Sequence, residues 1–187
     1  NADGTSERML LLNPAYEYNA SFSADGKSVV FTSERNGDGN SDVFRCRSDG
    51  GGVQPLATGP ALEDQATLSP DGTRLAFVST RDMRTANIWI LDLRTQGLRS
   101  LTGLPGLQGD PAKPNGFFRP AWSPDGKWIA FSSDRDTEWR GHSSGAGWEH
   151  VQELIVYVVR PDGTGLRRLT APGVCSGAPK WSPDGRR

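Results

Sequence analysis

Both histidines of this chain, His142 and His150, lie in one stretch, DRDTEWRGHSSGAGWEHVQE, beside Trp139, Trp148 and Glu149. Two imidazoles with nearby carboxylates could bind a transition metal, and paired tryptophans could form a platform for a sugar or a peptide. Eight residues separate the histidines on a glycine-rich segment, so the spacing fixes no ligand geometry. A lid packed by its own tryptophans is the structural alternative. The same stretch holds GHSSG, formally Gly-x-Ser-x-Gly. That motif works on a sharp strand-to-helix turn with Asp and His partners further along the chain. Only His150 follows, and no helical pattern does, so nucleophilic catalysis is not expected.

A second cluster is ERNGDGNSD, in which Glu34, Asn36, Asp38 and Asp42 place oxygen ligands around Gly39. This arrangement resembles calcium loops of the Asp-x-Asn-x-Asp-Gly type, because Ca²⁺ takes six to eight oxygens from a compact loop. It departs from that type at Glu34, and Arg45 stands where the bidentate Glu of an EF-hand would be. A calcium site and a plain hairpin loop both remain open; no other cofactor is expected.

Composition narrows the partners. The chain has 187 residues, 21 basic and 22 acidic, for a formal net charge of −1. That balance gives no basic footprint for phosphate backbones, so nucleic acid is excluded as a partner. No apolar run reaches the ~18–20 residues of a transmembrane span, and no signal-peptide pattern follows Asn1. Cys46 and Cys175 show no metal-ligand spacing; unpaired thiols and a mutual disulfide are both compatible with the sequence.

The elements that would position these residues come from a repeat. Ser23, Ser69, Ser123 and Ser182 head the phrases SADG, SPDG, SPDG and SPDG, at spacings of 46, 54 and 59 residues. In Ser-Pro-Asp-Gly, Pro presets φ for the second position of a type I turn, and Gly takes the left-handed conformation that follows. Each phrase is followed by an apolar strand (KSVVFTS, TRLAFVS, KWIAFSS), a polar loop, and a third strand (SDVFRC, NIWILDL, ELIVYVV). A second Gly turn then leads to a fourth strand (VQPLAT, LRSLT, LRRLT). Val29/Phe31, Leu75/Phe77 and Ile129/Phe131 alternate with Val30, Ala76 and Ala130, so each sheet carries a large face and a small one, as stacked sheets require.

Four-stranded antiparallel units at this period predict an all-β fold, a β-propeller of three complete blades plus partial flanking blades. The pattern AWSPDGKWIAFSSDRD … LIVYVVRPDGTGLRRLT resembles the WD-like propeller repeat of the TolB family over nearly the whole chain. On this alignment residues 1–13 end a preceding blade, 14–58, 59–102 and 103–170 are complete blades, and 171–187 begin another. The chain is therefore expected to be one incomplete propeller domain, a piece of a larger ring that would aggregate if isolated.

A meander places both Gly turns of each blade at one end, the bottom, and leaves the variable loops at the top, where rigid scaffolds carry function. Arg35, Arg81 and Arg135 recur at one point in every blade, which predicts a structural ion pair or stacking role. Non-recurring residues just before the first strands are the expected channel-mouth site: Glu17, Tyr18, Glu63, Asp64, Phe117, Phe118 and Arg119. Trp139, His142, Trp148, Glu149 and His150 are the candidate binding residues of the inserted loop. The sequon Asn19-Ala20-Ser21 opens an inner strand and is expected to be buried. The resemblance implies a non-catalytic propeller that meets a protein or a small polar ligand at its top face. It also implies a periplasmic or secreted setting and membership of a cell-envelope assembly or a larger multidomain chain. The alternatives are a substrate-gating propeller of a larger hydrolase, prolyl-oligopeptidase-like or amidohydrolase, and a metal-dependent propeller lyase.

Overall fold

A computed structural model describes residues 3, 5–37, 39–82, 85–108, 115–138 and 153–187. The described residues form twelve strands in three antiparallel sheets, each running in chain order. The first sheet contains β1 (Glu17–Phe22), β2 (Ser28–Ser33), β3 (Asp42–Arg47) and β4 (Gln54–Ala57). The second contains β5 (Glu63–Leu68), β6 (Arg74–Ser79), β7 (Asn87–Asp92) and β8 (Leu98–Ser100). The third contains β9 (Phe117–Trp122), β10 (Ile129–Ser133), β11 (Ile155–Val159) and β12 (Arg167–Arg168). These are the blades of a β-propeller. Among the described residues no helix is long and apolar enough to cross a membrane.

The repeated phrase folds alike in all four copies. Gly26, Gly72, Gly126 and Gly185 take φ of 68–69°, and each donates its N–H to the carbonyl of the leading serine at 2.8–2.9 Å. The serine hydroxyl donates to the aspartate (Ser23 to Asp25, Ser69 to Asp71, Ser123 to Asp125, Ser182 to Asp184). The same hydroxyl accepts the N–H five residues on, which closes the hairpin. The serine's bond first, and then the N–H two residues past each aspartate, hold all four aspartyl carboxyls below their usual pKa.

Sheets stack large face on small face. Leu75 and Phe77 of the second sheet pack with Val30 and Val43 of the first. Ile129 and Phe131 of the third pack with Ala76, Ile88 and Ile90 of the second. Small residues at Val30 and Ala76 make room for the rings behind them, so the alternation read from sequence is the packing rule between blades. Where no sheet covers the equivalent position, the side chain is exposed. Phe22 is 67% exposed, while Leu68 and Trp122, at the same place in the next two sheets, are 7% exposed. Cys46 and Cys175 are free thiols, the first buried against Val29, Phe31 and Phe44.

Candidate functional site

The inner strands β1, β5 and β9 lie side by side, and each is interrupted at the same point. The ladder with the second strand slips after Tyr18, after Asp64 and after Phe118. The slip occurs at a non-glycine residue in the left-handed region: Asn19 (φ 51°), Gln65 (53°) and Arg119 (53°). Ala178 (55°) takes the same conformation in the fourth repeat, where Trp181 Nε1 donates to the Ala121 carbonyl at 3.0 Å. A left-handed L-residue costs about 1–2 kcal/mol, so four in register mark a bulge that the architecture imposes.

The bulges line a cleft of about 290 Å³ between successive inner strands, walled by Asn19, Gln65, Arg119, Pro120, Pro179 and Lys180 among others. Side chains bridge its wall from blade to blade. Asn19 Nδ2 donates to Asp64 Oδ1 at 2.8 Å, and the Arg119 N–H donates to Gln65 Oε1 at 2.7 Å. Arg119 and Lys180 are exposed, and neither has a carboxylate within 4.0 Å among the described residues. The cleft therefore offers two free cations, an amide and a preset backbone. Asn19 is exposed in it, against the sequence expectation of burial, because the bulge takes it out of the ladder.

The expected channel-mouth residues separate into three groups. Glu17 and Glu63 are internal partners of the recurring arginines. Arg35 donates to Glu17 and Ser33, and Arg81 to Glu63 and Ser79. Glu63 has no exposed surface; burial pushes its carboxyl above the usual range, and Arg81 pulls it back. Both guanidiniums also lie over rings: Arg35 over Phe44 at 4.8 Å, and Arg81 over Trp89 at 5.3 Å.

Asp64, Phe117 and Phe118 form the second group, buried in the seams between blades. Asp64 Oδ1 accepts from Thr32 Oγ1 at 2.7 Å as well as from Asn19. Phe118 instead packs with Val78, Ala86 and Leu154. Phe117 occupies the place of Glu17 and Glu63, so Arg135 turns to the carbonyls of Gly106 and Leu107 at 2.8 Å each. Ser133, the counterpart of Ser33 and Ser79, donates to the Gly116 carbonyl at 2.7 Å.

Tyr18 and Arg119 are the group that reaches the surface. The Tyr18 hydroxyl, its pKa raised mainly by burial, lies 3.4 Å from Glu34. In the acidic loop, Asp42 is buried and accepts from the Gly59 N–H at 3.1 Å and from Asn36 Nδ2. These bonds tie Asn36 and Asp42 into the blade junction, and no group of three or more His, Cys, Asp or Glu able to hold a metal occurs among the described residues. Asp38 lies outside the described residues, as do Trp139, His142, Trp148, Glu149, His150 and the GHSSG motif.

The left-handed girdle was absent from the sequence reading. Its only signal is a polar or charged residue before a small or proline-containing pair: Asn19-Ala20-Ser21, Gln65-Ala66-Thr67, Arg119-Pro120-Ala121.

The TolB beta propeller domain family matches residues 1–118. The structure of a putative TolB from Agrobacterium tumefaciens superposes with a TM-score of 0.71 at 26% identity, over 95% of this chain and 58% of that one. TolB from Acinetobacter baumannii gives 0.60 at 21% identity, over 88% and 34%, a likeness of fold. A curated relative, "Uncharacterized peptidase YuxL" of Bacillus subtilis (strain 168), is 30% identical over 105 residues, 56% of this chain. The chain spans 12% of that relative.

Proposed function

This chain belongs to the TolB beta propeller domain family, and we propose that it is a non-catalytic propeller module that binds a protein or a small polar ligand at its axial cleft. The observation that carries this reading is the cleft wall itself. Three left-handed bulges in register, with Ala178 in the same backbone conformation beside them, hold Asn19, Gln65, Arg119 and the Ala178–Lys180 segment at one opening. Bonds between blades fix that wall before any partner arrives, and preorganisation of this kind lowers the ordering cost of binding. Arg119 and Lys180 favour a partner that brings carboxylates or carbonyl oxygens. The TolB likeness supports a periplasmic or secreted location and a protein partner.

Site-specific photo-cross-linking in cells tests this. A cross-linking residue at position 119 or 180 should give a discrete adduct that one at Lys27, in the bottom turn of the first blade, does not. Equal labelling from Lys27 and the cleft, or none from the cleft, would defeat the reading.

A second reading has one supporting observation, the Bacillus subtilis relative named as a peptidase. Here the propeller gates substrate for a hydrolase domain elsewhere in a longer chain. Labelling of the intact protein by a fluorophosphonate serine-hydrolase probe would favour it.

A further inference from the structure

The bottom of the second and third blades carries a feature that the repeat does not require. Arg74, Arg99, Lys127, Trp128, Arg160, Pro161 and Asp162 line a groove of about 420 Å³. Arg160 and Arg167 both lie over the Trp128 ring, at 5.2 and 4.6 Å, and Arg74 lies over Trp122 at 4.6 Å. Arg99 crosses from the second blade to donate to the Pro161 carbonyl of the third. Stacking and this bridge fix the planes of the guanidiniums while their N–H edges stay available.

The positive charge is not internally neutralised. Lys127 has Asp125 at 3.6 Å, but Arg74, Arg99, Arg160 and Arg167 have no carboxylate within 4.0 Å among the described residues. Asp162 and Asp71 are the nearby counter-charges, and both carboxyls feel these arginines. The Arg99 pKa is lowered, first by burial and then by Arg74, while Asp162 opposes the shift. Nor is the cluster a feature of every blade. The place of Trp128 is taken by Arg74 in the second sheet and by Ser28 in the first.

We infer that this groove is a docking site for an acidic peptide segment, its Asp or Glu carboxylates held by Arg74, Arg99 and Arg160 over the Trp128 and Pro161 floor. Guanidinium forks match carboxylates bidentately, and an aromatic floor suits the apolar stems of a peptide. Phosphate sites are commonly completed by N–H groups at a helix N-terminus, and the described residues contain no helix. A nucleic acid would meet a chain of net charge −1 beyond the groove.

Fluorescence anisotropy of a labelled pentaglutamate peptide with the intact protein, against pentaglutamine, tests the assignment. Pentaglutamate should bind, and Arg160→Glu should weaken it by about tenfold or more. Arg167→Glu, a second exposed site, should do the same with an unchanged melting temperature, which separates lost binding from lost folding. Lys27→Glu, the counterpart of Lys127 on the first blade, should leave affinity unchanged. Equal affinity for the two peptides, or equal weakening by Lys27→Glu, would overturn the proposal. Competition by inorganic phosphate at concentrations as low as those of the peptide would overturn the carboxylate assignment.

Discussion

The seam between the first and second blades is polar where the seam between the second and third is not. At the first, Thr32 and Asn19 converge on Asp64; at the second, the corresponding places are Val78 and Phe118, packed with Ala86 and Leu154. The recurring arginine follows the same division. Arg35 and Arg81 meet buried or half-buried carboxylates, whereas Arg135, with Phe117 in the carboxylate's place, meets backbone carbonyls and the exposed carboxylate of Asp136 at 3.5 Å. One backbone path therefore tolerates two chemistries, even though Glu63 Oε2 and Arg135 Nε are buried with no hydrogen-bond partner among the described residues. The repeat specifies where a residue sits and leaves its partner to the local sequence.

The largest expected effect is on the apolar seam. Phe118→Ala should cost about 3–5 kcal/mol in chemical denaturation, as expected when a buried phenyl is truncated. A loss smaller than that of Asp64→Ala would reverse the contrast between the seams.

Next comes the ion pair of the second blade. Arg81→Ala leaves Glu63, which has no exposed surface, without its cation and should cost about 3 kcal/mol near neutral pH. The folded-state pKa of Glu63 is raised, with burial the leading cause. The fold therefore favours its protonated form, and stability from this group is fully present below the unfolded pKa and falls as pH rises through the folded one. Without Arg81 that dependence steepens, so the penalty of Arg81→Ala should shrink on acidification. Arg35→Ala should cost less, since the Glu17 side chain retains 18% exposure. Denaturation midpoints across acidic and neutral pH check both.

Asp64→Ala removes the acceptor of Thr32 and Asn19 and should cost about 2 kcal/mol. Asp64→Asn, which keeps a carbonyl oxygen there, should cost about half as much. The smallest effect is also the sharpest test of the comparison. Val78→Thr should rescue about 1 kcal/mol of the damage done by Phe118→Asp, by rebuilding the Thr32–Asp64 pair at the other seam. No coupling in that double-mutant cycle would mean that the seams are not interchangeable.

Much of the fold was legible because its signals are local. Ser-x-Asp-Gly turns and the alternation of Leu75 and Phe77 around Ala76 depend on neighbours in sequence. The site was less legible because burial is decided across blades. Glu63 reads as a surface carboxylate until Arg81 folds over it. A usable signal did exist: a glutamate eighteen residues before the recurring arginine in two copies, and a phenylalanine in the third. The girdle of Asn19, Gln65 and Arg119 gave almost none, because its left-handed backbone arises from the bulge between strands and uses no glycine.

The central claim is that the axial wall is preformed by bonds running between blades. Native-state hydrogen exchange of the Arg119 amide tests it most directly, because its bond to Gln65 Oε1 crosses the seam. The account predicts a protected Arg119 amide that loses protection in Gln65→Ala while the β9 and β10 ladder amides keep theirs. Exchange of Arg119 at the unprotected rate in the unaltered protein would contradict it.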